Sequence, residues 1–98
     1  MTFDIVLYPF PLGSAKYPRP CVVIDPSTSD MMAITTKEYA KFNFFTLRPD
    51  HPDFAATNLK AASYVIGDSI ARPEQGIRPQ VIGKLTGQLA EEFAKWLG

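Results

Sequence analysis

The sequence predicts a mainly β domain: a small, strongly bent sheet closed into a barrel, with one C-terminal α-helix packed on it. Three observations predict this. Nine prolines, about twice the usual share, fall between apolar runs and not in one tract, as expected of short strands separated by turns. The apolar runs are brief and rich in β-branched and aromatic residues. Only the last segment has the 3.6-residue period of an amphipathic helix.

Phe3 to Tyr8 reads as the first strand, with Phe3, Ile5 and Leu7 on one face, stopped by Pro9-Phe10-Pro11. Leu12 to Pro20 is a loop. Cys21-Val22-Val23-Ile24 is continuously apolar, the pattern of a strand buried on both faces. Asp25 to Asp30 is a turn whose short polar side chains can bond nearby backbone, and Met31 to Thr35 returns beside the second strand as a hairpin. Phe42 to Leu47 is a fourth strand, ended by Arg48-Pro49-Asp50-His51-Pro52-Asp53. Phe54 to Ala62 is a loop or a short helical turn. Ser63 to Ile66 and Val81 to Leu85 complete the strands. Leu89, Phe93, Trp96 and Leu97 then form one helical stripe, with Thr86 placed to cap it and Glu91–Lys95 an i,i+4 pair.

The 98 residues suit one domain spanning positions 1–98. Ten basic residues balance ten acidic ones, so bulk charge gives no support for a protein that coats nucleic acid, though a compact anion site remains open. The single Cys21 and single His51 leave no internal disulfide and too few ligands for structural zinc. Neither a membrane-spanning run nor a secretory leader is evident at the start, and a cytoplasmic setting is expected.

Many chemistries lack their parts. The six glycines are scattered singly, so there is no phosphate loop, and no Cys-x-x-Cys or His-x-x-x-His pair occurs. His51 reads as an exposed loop histidine and Cys21 as a packed core thiol. The informative place is Lys16-Tyr17-Pro18-Arg19-Pro20. Proline on both sides stiffens the backbone that carries Arg19, and a guanidinium on a stiff stem suits bidentate contact with phosphate. The same chemistry equally allows Arg19 ion-paired to Asp25 or Asp30. If the hairpin forms, Thr35 returns near Arg19, and a hydroxyl and a guanidinium at one strand end can hold a phosphate together.

Five segments in order, Asp4-Ile5-Val6-Leu7-x-Pro9-Phe10-Pro11, Arg19-Pro20 with Val22-Val23-Ile24, Ala33-Ile34-Thr35, Asp68-Ser69-Ile70 and Ile82-Gly83-Lys84-Leu85-Thr86, resemble the MazF/PemK family of toxin endoribonucleases. The resemblance implies an SH3-like barrel of the CcdB/MazF type, usually a homodimer, and a cognate antitoxin that occupies the RNA groove. It implies cleavage of single-stranded RNA without metal or cofactor, by attack of the ribose 2′-OH on the adjacent phosphate. The family's catalytic arginine falls on Arg19 and its threonine or serine on Thr35. Lys16, Tyr17, Thr36, Lys37 and Arg48 are then substrate-binding candidates, with Tyr17 or Phe44 to stack on bases. The chain departs from the family in its first loop, which lacks a carboxylate, and at Ala71, where the arginine after Asp-Gln-Ile commonly stands; Arg72 follows one place later. Two other readings exist: a CcdB-like gyrase poison acting through the terminal helix that carries Trp96, and a catalytically idle barrel that binds a partner.

Overall fold

Runs of β-branched and aromatic residues, broken by proline and polar turns, become six antiparallel strands followed by one helix in the computed structural model, which describes residues 1–10, 18–37 and 43–98. The strands are β1 (Phe3–Tyr8), β2 (Arg19–Asp25), β3 (Asp30–Thr35), β4 (Phe44–Leu47), β5 (Ser63–Ile66) and β6 (Gln80–Leu85), and the helix is α1 (Gly87–Leu97). Their order in the sheet is β4-β5-β3-β2-β1-β6. The β2–β3 hairpin forms across Asp25–Asp30 as its sequence predicts, with Cys21 opposite Ala33, Val22 opposite Met32 and Val23 opposite Met31. The segment of uncertain type contributes a short 3-10 turn, Ala55–Thr57.

The sheet is open, so the closed barrel is not what the described residues show. Among the described residues, β4 pairs only with β5 and β6 only with β1. The physical reason lies in the β4–β5 connection. Its 3-10 turn, not β4, meets the free side of β6: Gly83 packs on the backbone of Thr57, and Asn58 donates from Nδ2 to the Ile82 carbonyl at 2.6 Å. Ile82 is the extra residue of a bulge, since Ile5 faces Gly83 while Val6 faces Val81.

Alternation along the strands builds two cores. Ile5, Val22, Met32, Ile34, Leu47, Val65 and Leu85 point to α1 and pack with Phe54, Leu89, Ala90 and Phe93. Val6, Tyr8, Phe10, Cys21, Met31, Ala33 and Ile66 form the second cluster on the opposite face. β1 is therefore buried on both sides, because Val6 and Tyr8 are covered as well as Ile5. β2 is buried on both faces as its continuous apolar run requires. The helical stripe is as expected, and Phe93 sits edge-on to Phe3 at 4.9 Å and Phe45 at 5.3 Å.

Thr86 occupies the helix N-cap, but its hydroxyl makes no capping bond. Asp53, from the loop after β4, caps instead: its Oδ2 accepts from the Leu89 N–H at 3.2 Å. Asp53→Ala should thus cost about 1 kcal/mol, or a fall of roughly 4–8 °C in Tm, whereas Thr86→Ala should barely move it. Thermal melts of the two variants check this; equal losses would put the cap back on Thr86.

Candidate functional site

Arg19 opens β2, pairs with Tyr8 across β1 and stands between Pro18 and Pro20. Thr35 closes β3. Extending the hairpin register by two residues sets Arg19 opposite Thr35, and both share the face of Cys21 and Ala33, away from the helix. Together with Pro18, Pro20, Ile34, Thr36 and Lys37 they line one depression of about 400 Å³. Among the described residues, its lining holds two cations, Arg19 and Lys37, and no carboxylate.

The Arg19 Nε is buried and, among the described residues, has no hydrogen-bond partner. An unpartnered buried donor is costly to the fold, on the order of 1–3 kcal/mol. Neither acid considered as a partner for Arg19 takes it. Asp25 and Asp30 face each other at the far end of the hairpin, about 20 Å of extended strand away. Asp30 accepts both N–H groups of the Arg72 fork, at 2.9 and 3.3 Å, which holds its carboxyl below the ordinary range. Asp25 is lowered chiefly by the hydroxyl and the N–H of Ser27. Arg72 is thereby committed to the turn.

The Thr35 Oγ1 accepts from the Lys37 N–H at 3.1 Å, which leaves its own proton free to be donated. That bond folds Thr36 and Lys37, both exposed, back beside the strand end. Of the other substrate-binding candidates, Arg48 lines a different depression, of about 640 Å³, with Thr46, Pro49, Asp50, Ala62 and Tyr64. Its guanidinium is held by Asp50 in a bidentate pair, at 3.2 and 3.1 Å. Lys16 and Tyr17 lie outside the described residues.

Three further side chains complete the picture. Cys21 is fully buried, as a core thiol should be, and burial pushes its thiol up to about 12 against the opposing charge of Arg19. The thiol should resist iodoacetamide at pH 8 in the folded protein and react only on unfolding; rapid native labelling would contradict the packing. Since an unfolded thiol ionises from about pH 9, this group's stabilising contribution should be complete below that pH and fall progressively as pH rises toward 12. His51 is not an exposed loop residue. Its side chain is only 15% exposed: Nδ1 accepts from the Asp53 N–H at 3.0 Å, so Nε2 carries the proton and donates to Glu92 on the helix at 2.9 Å. It clips the loop to α1. Ser69, in the segment matched to Asp-Gln-Ile, accepts from the Ala33 N–H at 3.2 Å and donates to the Ile66 carbonyl at 2.8 Å.

Tyr64 is the residue sequence reasoning missed. It is the register partner of Thr35 on one side and of Thr46 on the other. The pairing of β3 with β5 joins segments about thirty residues apart, and no local signal announces it. Among the described residues, no helix is long and apolar enough to cross a membrane. Compared with known proteins, the chain matches no family model, no curated protein and no solved structure.

Proposed function

We propose that this chain is a metal-independent endoribonuclease that cuts single-stranded RNA by attack of a ribose 2′-oxygen on the adjacent phosphate, and that it serves as the toxin of a toxin–antitoxin pair. The observation that carries the reading is the convergence of Arg19, with its unpartnered Nε, and Thr35 in one cationic depression. As the 2′-oxygen attacks, negative charge builds on the non-bridging oxygens, and a positioned guanidinium gains most at that moment. Arg19 supplies this charge and not a proton, because a delocalised guanidinium holds its protons too tightly to act as an acid. Thr35 donates its hydroxyl to the phosphate and keeps the attacking and leaving oxygens in line. The 2′-OH proton passes to water as the O2′–P bond forms, the P–O5′ bond breaks, and water protonates the departing oxygen, so the fragments end in a 2′,3′-cyclic phosphate and a 5′-OH.

The toxin assignment rests on the resemblance to MazF/PemK proteins, and with it come an SH3-like barrel, a homodimer, a cognate antitoxin over the RNA groove and a cytoplasmic setting. The mainly β sheet with its C-terminal helix is compatible with that family. Against the gyrase-poison reading, Trp96 packs between Phe45 and Phe93, each with ring centroids 5.7 Å away, so the residue that would mark the helix serves the core. The test is incubation of purified protein with mixed-sequence single-stranded RNA in EDTA. Discrete fragments bearing cyclic phosphate ends are expected. Intact RNA, or cleavage that appears only with added metal, would refute the mechanism.

A further inference from the structure

We infer that the depression around Tyr64 is a nucleobase subsite of the same RNA-binding face, an inference that rests on the nuclease reading above. Register carries the argument first. Thr35 lies opposite Tyr64, and Tyr64 opposite Thr46, so with Arg19 these residues form one row across β2, β3, β5 and β4 on the face away from the helix. At about 4.8 Å per strand, Tyr64 is one step and Thr46 two steps, close to 10 Å, from Thr35. A nucleotide next to the scissile phosphate reaches that far.

Charge separates what the two depressions accept. The one at Arg19 and Lys37 has, among the described residues, cations without acids and suits a phosphate. The one at Tyr64 contains Arg48 and Asp50 already paired with each other, so its charges cancel and it offers no site for a dianion. What remains is an aromatic surface with a hydrogen-bonding rim, the environment of an uncharged, flat and polar-edged group. The Tyr64 ring is held in place by Phe44, with centroids 5.3 Å apart at 59°. A base can stack on the Tyr64 ring while its edge meets the Arg48–Asp50 pair. With a volume of about 640 Å³ the depression is roomy enough for a purine or a pyrimidine.

The experiment uses two probes: a mixed-sequence 2′-O-methyl RNA, which binds without being cut, and ordinary RNA for kinetics. Tyr64→Ala should weaken binding about tenfold and raise KM with kcat held within about twofold, while Tyr64→Phe retains the stack and binds normally. Thr46→Leu, an uncharged and bulkier side chain at an exposed position where folding is not at stake, should crowd the depression and weaken binding in the same direction as Tyr64→Ala. Wild-type affinity in Thr46→Leu, or in folded Tyr64→Ala, overturns the subsite even where the wild-type protein cuts RNA. Failure of the wild-type protein to bind or cut either RNA overturns the subsite and the nuclease reading together.

Discussion

Arg19→Ala is expected to lower RNA cleavage by a factor on the order of 10²–10³, the usual consequence of removing one preorganised donor from a developing oxyanion. Arg19→Lys should recover little of it, because an ammonium keeps the charge but loses the planar fork. Arg19→Ala should leave stability unaltered or slightly higher, since it deletes a buried donor that no described residue satisfies. Loss of activity without loss of stability separates a site residue from a structural one. Inorganic phosphate at millimolar concentration should raise the Tm of the wild-type protein and not that of the variant. Undiminished cleavage by a folded Arg19→Ala protein would remove Arg19 from the mechanism.

Gly83→Ala should be the most damaging small substitution for the fold. A Cβ at this position lands on the Thr57 carbonyl, with the Ala56 oxygen 3.0 Å away, and these are backbone atoms that cannot swing aside. The turn itself is locked. Thr57 is completely buried, donates its hydroxyl to the Phe54 carbonyl at 2.6 Å and accepts the Leu59 N–H at 3.1 Å. Either β6 or the turn must therefore move, for a loss of about 3 kcal/mol and a fall in Tm of roughly 12–24 °C. Circular dichroism melts measure it directly. A Tm within two or three degrees of wild type, given about 4–8 °C per kcal/mol, would mean that the turn does not press on β6.

What the sequence made legible was local. Cys21–Ile24 could be recognised as a strand buried on both faces because four consecutive apolar residues leave no polar side to expose. The helical stripe declared itself by spacing, and the Pro-Arg-Pro step by its stiffness. The turn at Asp25–Asp30 was enough to bring Thr35 back to Arg19 through a hairpin, the one long-range arrangement that a short loop dictates. Everything joined across distant segments was hidden. Asp53 rather than Thr86 caps the helix because folding, not proximity in sequence, delivers its carboxylate to Leu89. His51 looked exposed because its prolines and acids suggest a solvated turn, whereas Glu92 reaches it from 41 residues away. Barrel closure was inferred from strand number and proline spacing, but neither reports that a 3-10 turn meets the β6 edge. Arg48 was grouped with Arg19 on charge alone, whereas the structure places it beside Tyr64, paired with Asp50 two residues along.

Pro20 brings no N–H to the sheet, and the β2–β3 register begins at Cys21. The Arg19 end of β2 is therefore laced to β1, through Leu7–Pro20 and Tyr8–Arg19, more than to β3. Amide exchange should accordingly be faster at Arg19 than at Val22 and Met32, which sit buried in the middle of the hairpin.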